Sequence, residues 1–285
     1  MLRNLDAYAD WFQYDAANCV ITLVMTILVL LISLILHECA HGWMALRCGD
    51  PTAKMIGRLS LNPLRHLDLF GTLCMLLAGF GWAKPVPVNP RNFENYRRDD
   101  FLVSIAGIVT NLTLFIICSL LAVMLNAALW KQNMVVMGMD VDFHALLERA
   151  YGGVLTSEDM VNVFYNGTNL STYIAYGTSF DWMTPSCNAP WLLYVQRFLL
   201  MMANTNLCLA IFNFLPIPPL DGFHILNDTL LRGKLRMNQQ MFQAAQLMML
   251  ILMFSTDIVS NILSAGTDLI GGSVIRMFLM LTGQM

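Results

Sequence analysis

Charge is what this chain lacks. Of its 285 residues only 12% are charged, while 57% are hydrophobic, a balance that excludes an ordinary water-soluble domain and points to an integral membrane protein. The formal net charge of −3 gives no basis for nucleic-acid binding. Cysteine is present but unpatterned: the seven at 19, 39, 48, 74, 118, 187 and 208 form no Cys-x-x-Cys pair. Most sit in apolar stretches and read as small buried hydrophobes, not as a disulfide framework. Internal repeats, low-complexity stretches and a soluble accessory domain are also missing. A cleavable leader is not expected, because Asp6, Asp10 and Asp15 outweigh Arg3 ahead of the first apolar run. The 21 methionines read as packing filler in apolar helices rather than a metal relay.

Residues 19–36 hold no charged side chain, and these eighteen positions make about 27 Å of helix, close to the hydrocarbon thickness of a bilayer. Further spans are expected at 101–130, 198–215 and 241–256. The apolar stretch 69–82 is too short to cross and reads as a re-entrant or interfacial piece. The stretch 269–281 is interrupted by Gly271, Gly272 and Arg276, which leaves open whether it crosses. The expected fold is an all-α polytopic helical bundle of four to six transmembrane segments with a short re-entrant β-like element. It forms a single membrane domain over 1–285 with a polar insertion at about 131–190. Residues 47–100 carry eight Lys/Arg, and Arg232, Lys234 and Arg236 follow the third span. The insertion has only Lys131 and Arg149 against six acidic residues. The positive-inside rule therefore places 47–100 and 221–240 in the cytoplasm and 131–190 outside.

At the end of the first run stands His37-Glu38-Cys39-Ala40-His41. His-Glu-x-x-His on a helix brings two imidazoles to one face, about 6 Å apart along the axis, where both reach one tetrahedral Zn²⁺. Glu38, about 100° round the helix, is placed to act as general base. Ionisable groups at membrane depth are costly, and a bound metal offsets much of that cost. A catalytic zinc needs a third protein ligand. His144, Glu148 and Glu158 belong to the outer insertion, and Asp257 is expected near the opposite face. His66 and Asp68 are conceivable. Asp221, in Asn213-Phe214-Leu215-Pro216-Ile217-Pro218-Pro219-Leu220-Asp221-Gly222, is the best placed, because it ends a charge-free span where prolines turn the chain inward.

These two elements together resemble the site-2 protease family of intramembrane zinc metalloproteases. Gly49-Asp50-Pro51-Thr52-Ala53-Lys54, Gly57-Arg58-Leu59-Ser60-Leu61-Asn62-Pro63, the segment Gly81-Trp82-Ala83-Lys84-Pro85-Val86-Pro87-Val88-Asn89-Pro90, and Ala106-Gly107-Ile108-Val109-Thr110-Asn111 are similar to its compact bacterial branch, which lacks PDZ and CBS domains. The resemblance implies Zn²⁺ held by His37, His41 and Asp221, with Glu38 as base. It also implies that Asn213 positions substrate or the developing oxyanion, and that Asn111 lies beside the site. Asn111 has an equal alternative as a helix–helix hydrogen bond in the bilayer. Where that family commonly has a basic or small polar residue after Asp-Gly, this chain has Phe223 and His224; His224, three residues beyond Asp221, is a candidate to approach the metal or to hydrogen-bond one of its ligands.

The implied activity is hydrolysis of peptide bonds within or next to transmembrane segments of membrane protein substrates. The alternative is a non-proteolytic protein of the same fold that binds transmembrane helices or metal. A substrate helix must unwind before attack, and its freed backbone needs partners. The proline-flanked segment around Val86 and Val88 reads either as an edge for strand addition or as a rigid surface loop. Charged residues at Val86 or Val88 are expected to impair cleavage with zinc retained. The expected location is a bacterial plasma membrane, with the active site toward the cytoplasm.

Overall fold

The computed structural model describes residues 16–66, 84–129, 133–136, 139–142, 189, 191–235, 240–241, 243–245, 247–249 and 258–282. Its helices are α1 (Ala16–Arg47), a single turn α2 (Thr52–Met55), α3 (Tyr96–Leu129), α4 (Leu192–Phe214), α5 (Asp221–Thr229) and α6 (Ile258–Leu281). Four of them contain stretches long and apolar enough to cross a membrane: Cys19–Arg47, Tyr96–Leu125, Tyr194–Phe214 and Ile258–Leu281. The protein is thus an all-α polytopic membrane protein. The tail is continuous helix through Gly271 and Gly272 to Leu281, since glycine keeps its own backbone hydrogen bonds and is tolerated where no water competes for them. The re-entrant piece expected at 69–82 lies outside the described residues, as does most of 241–256. Of the polar insertion, an antiparallel hairpin is described. Its strands β1 (Asn133–Val136) and β2 (Met139–Asp142) pair Asn133 with Asp142 and Val136 with Met139.

Helix α1 has two faces, each with a four-residue period. Val20, Val24, Leu28 and Ile32 are exposed, whereas Val29, Ser33, His37, His41 and Ala45 are buried. Positions four apart lie in one row along a helix, so the same spacing that gives an apolar outer stripe places both motif histidines inward. Helix α3 answers with a row of its own, Val103, Gly107 and Asn111. It starts from a reciprocal cap: Asn95 Oδ1 accepts from Arg98 N–H at 3.3 Å, while Asp99 Oδ2 accepts from Asn95 N–H at 2.7 Å.

The chain packs as two compact units. One comprises Met1–Val29, Phe115–Asn204 and Thr267–Met285; the other comprises Leu30–Leu114 and Thr205–Gly266. The first has a core of Ala122, Val123, Ile275, Phe278 and Leu279. Within it the buried Arg197 donates to the Thr22 hydroxyl, and Gln196 donates to the Ala122 carbonyl at 3.2 Å. The second holds every residue of the site described below. There Asn206 of α4 donates to the Ser33 hydroxyl of α1 at 2.9 Å, both fully buried. This kind of interhelical hydrogen bond replaces water inside a membrane. A small core of Ala45, Cys48 and Val103 gathers Val88, Phe93 and Leu102.

Beyond α1 the backbone is tied by one buried carboxylate. Asp50 accepts from Asn89 N–H (2.7 Å), Asn92 Nδ2 (2.7 Å), the Thr52 hydroxyl (2.5 Å) and Thr52 N–H (3.1 Å). Burial alone would raise its pKa, but these donors outweigh it and hold the carboxyl below its ordinary value. A lowered folded pKa contributes stability that is present above the unfolded value of about 4 and lost as pH falls through the folded value. Asp50→Ala is therefore expected to cost about 3 kcal/mol in detergent unfolding experiments at neutral pH, with a smaller difference from the parent below about pH 3.

Candidate metal centre

His37 Nε2 and His41 Nε2 lie 3.0 Å apart, and Asp221 Oδ2 lies 3.4 Å from each. Among the described residues these three form the group of side chains able to hold a metal ion. Two ligands bound at about 2.05 Å with tetrahedral angles stand about 3.3 Å apart, so the three donor atoms fit one small tetrahedral cation with a fourth position left over. Asp221 Oδ2 is buried and has no hydrogen-bond donor, which is the state expected of a ligand atom rather than of a structural carboxylate. His66 is directed elsewhere, with Nε2 at 2.6 Å from the Ser60 carbonyl. Asp68, His144, Glu148, Glu158 and Asp257 lie outside the described residues.

Helix α3 orients both imidazoles. The Val103 carbonyl can only accept, so at 2.7 Å it fixes the proton of His41 on Nδ1 and leaves Nε2 with a free lone pair. Asn111, fully buried, sets its amide Nδ2 3.1 Å from His37 Nδ1. The metal-binding tautomer requires the amide oxygen to face this nitrogen. Asn111 Oδ1 has no other partner, so turning the amide forfeits nothing. Between these contacts stands Gly107. A Cβ there would lie 2.5 Å from His37 Cε1 and 2.6 Å from His41 Nε2, closer than any side chain tolerates.

Asp221 arrives by a different route. Helix α4 ends at Phe214, the chain turns through a cis Pro218–Pro219 bond, and α5 starts at Asp221. Gly222 allows the return: a Cβ there would clash with the Phe214 and Leu215 carbonyl oxygens. Asn213, in the last turn of α4, donates to the Leu209 carbonyl at 3.0 Å. Glu38 Oε2 accepts from Val86 N–H at 2.7 Å. The Val86 side chain is buried against Gly42, and Val88 packs on the Ala45 core. Both valines thus face inward.

His224 is held by Asp100, with Nδ1 3.1 Å from Oδ2; this carboxylate raises the imidazole above its ordinary pKa. Asp228, buried alongside, has no donor on either oxygen. Burial first, then the Asp100 charge and the hydrogen bond to it, push its pKa up to about 7 against the opposing His224 and Arg97. Gly107, the Val103 carbonyl and this acid pair were not singled out from sequence. The Gly-x-x-x-Asn spacing carried the signal for Gly107, whereas a backbone carbonyl leaves none.

A membrane helix bundle with a preformed two-histidine, one-carboxylate centre and a glutamate beside it defines the metallopeptidase class. Residues 25–256 match Peptidase family M50. The chain is also 33% identical over 273 residues to "Putative zinc metalloprotease YwhC" of Bacillus subtilis, covering 94% of this chain and 96% of that protein. No solved structure matches. The chain belongs to the M50 family, the site-2 proteases.

Two outcomes follow from this packing. Asn111→Ala is expected to weaken metal affinity about 10- to 100-fold, and Gly107→Ala to abolish binding, both read by zinc titration against a chelator. The raised pKa of Asp228 contributes stability that is full below about pH 4 and is lost as pH rises through about 7. Melting temperature should therefore fall between about pH 4 and pH 7 in the parent, level off above that, and stay flatter in Asp228→Asn.

Proposed function

We propose that this M50 protein is an intramembrane zinc metalloprotease that cleaves peptide bonds within or next to transmembrane segments of membrane protein substrates. The observation that carries this reading is the convergence of His37 and His41, on an apolar span, with Asp221, which opens α5 just past another, the donor atoms lying within 3.4 Å of one another and Glu38 standing on the histidines' helix. His37, His41 and Asp221 would hold the zinc, which would supply polarisation of the scissile carbonyl and a water nucleophile competent near neutral pH. Glu38 takes the proton of the attacking water and delivers it to the leaving amine. Asn213 is assigned the developing oxyanion, for which a neutral amide adds no buried charge. Asn111 and the Val103 carbonyl hold the imidazoles in the tautomer that presents Nε2.

The substrate is proposed to pair as a strand with residues 84–88. Lys84 N–H is used by the His66 carbonyl, Val86 N–H by Glu38, and the Lys84 and Pro85 carbonyls by Arg58. Prolines 85 and 87 have no N–H, so the Val88 amide is the donor of this segment left for an incoming chain. A charge at Val86 would disrupt its packing on Gly42, so it does not test pairing. Val88→Pro, which removes the amide, is expected to depress cleavage by at least tenfold, while Val88→Ala retains it. The non-proteolytic alternative has no use for a base beside the metal. The proposed setting is a bacterial plasma membrane with the centre toward the cytoplasm, matching the basic residues that follow α1.

In proteoliposomes carrying a tagged single-span reporter, Glu38→Gln is expected to lose cleavage by at least 10³-fold with about one zinc per chain retained. Asp221→Ala should lose both. Undiminished cleavage by Glu38→Gln would exclude this mechanism.

A further inference from the structure

Immediately beyond the membrane-spanning part of α1 lies a cavity of about 280 Å³, lined by Ile56, Gly57, Arg58, Leu64, Arg65 and Lys84. Three of the six lining residues are cations and none is acidic. Arg47, Lys54, Arg58, Arg65 and Lys84 make no ion pair among the described residues. Among the described residues, the acids Asp50 and Glu38 accept from other donors. Among the described residues, positive charge here is therefore uncompensated.

The cavity is built rather than incidental. Arg58 donates through Nη1 to the Arg65 carbonyl and through Nη2 to the carbonyls of Lys84 and Pro85, and Arg65 Nη1 donates to the Gly57 carbonyl. These bonds fix both guanidinium planes. Arg58 Nε, Arg65 Nε and Nη2, and the Lys84 ammonium are left for an external acceptor. Gly57 has φ +69°, and a Cβ there would lie 2.6 Å from Arg65 Nη1. The glycine thus both makes the turn and admits the guanidinium.

The rim sets the class of ligand. Met55, Ile56, Leu61 and Leu64 are 79%, 58%, 66% and 78% exposed, a cluster of large apolar side chains that water does not favour. Trp43, half-exposed in the last turn of the span, stacks under Arg47, whose Cζ is 4.3 Å from the ring centroid. An aromatic and a cation at a span's end mark the headgroup level of a bilayer. Apolar side chains beside a cationic cavity at that level match a molecule with acyl chains and an anionic head.

We propose that Arg58, Arg65 and Lys84 form a binding site for the phosphate head of an anionic phospholipid. The acyl chains lie over Ile56, Leu61 and Leu64. Because Arg58 also holds the Lys84 and Pro85 carbonyls, an occupied site would brace the segment that ends at the Glu38 contact.

The test is lipid retention by the purified full chain in phosphatidylcholine nanodiscs containing a minor share of phosphatidylglycerol, read by native mass spectrometry. The parent is expected to retain phosphatidylglycerol selectively. Lys84→Gln, which removes no internal hydrogen bond, should reduce that retention about fivefold, the factor for one basic residue at an anionic surface. Lys54→Gln, on the same basic surface but outside the cavity, should leave it unchanged. Melting temperatures of both variants serve to show intact folding. Equal retention by the parent and Lys84→Gln would overturn the site. So would an equal loss in Lys54→Gln, which would indicate diffuse attraction only. Displacement of the lipid by glycerol phosphate at matched concentration would assign the cavity to a free phosphate and overturn the lipid assignment. Glu38→Gln should retain lipid like the parent, so failure here and failure of the protease reading are read separately.

Discussion

The contact of two imidazole rings with the bare backbone of Gly107 is the constraint on which the site depends. Both rings occupy the space a side chain would take, and this brings α1 and α3 close enough for the Val103 carbonyl to reach His41 and for Asn111 to reach His37. Each ring is then fixed at two points, by its own helix and by the neighbouring one. Rigid supports of this kind set ligand geometry before any metal arrives. Asp221 completes the set from a third element, and Gly222 performs there the same service as Gly107, letting backbone pass where a Cβ would stand.

Inside apolar helices every polar group must find its partner in the protein. Most do so by the shortest route: the hydroxyls of Thr26, Thr110 and Thr113 return to the carbonyls of Thr22, Ala106 and Val109 four residues back. Ser33 takes the amide of Asn206. Against that background Asn111 Oδ1 and Asp221 Oδ2 are buried without donors, and both belong to the donor cluster. One atom has a histidine nitrogen to accept from once its amide is turned, and the other stands where a bound metal would be held. The unsatisfied groups of this cluster are thus those that metal binding would satisfy.

Much of this arrangement was legible in the sequence. The charge-free run of α1, with His37 and His41 four residues apart, states a helix and an inward pair of ligands. Asp221 was singled out by its depth and by the prolines before it, and its Oδ2 stands 3.4 Å from both imidazoles. The segment holding Gly107 and Asn111 entered only through the resemblance, which did not say which ring each would meet, because the partner of a helix row is a tertiary fact. The tail was harder. Two adjacent glycines suggested an interruption at 271–272, yet without competing water the helix continues. The inward direction of Val86 and Val88 was hidden as well. Proline-flanked valines suggest an exposed edge, whereas Gly42 provides a slot that draws the Val86 side chain in.

That slot links two functions that the sequence presents as separate. Val86 docks its side chain on α1 beside Gly42, and its amide meets Glu38 one turn earlier on the same helix. The loop and the proposed base are therefore fastened to each other by packing and by a charge-assisted hydrogen bond. Glu38 bound through Oε2 has its rotation restricted while Oε1 stays available, which favours one orientation of the carboxylate. Arg58 secures the same loop from its other side. A chain pairing with Val88 would lie two residues from the amide that orients Glu38, so a shift of this loop would move the two together. Substrate register and base position then depend on a single backbone segment, held at one end by Arg58 and at the other by Asp50.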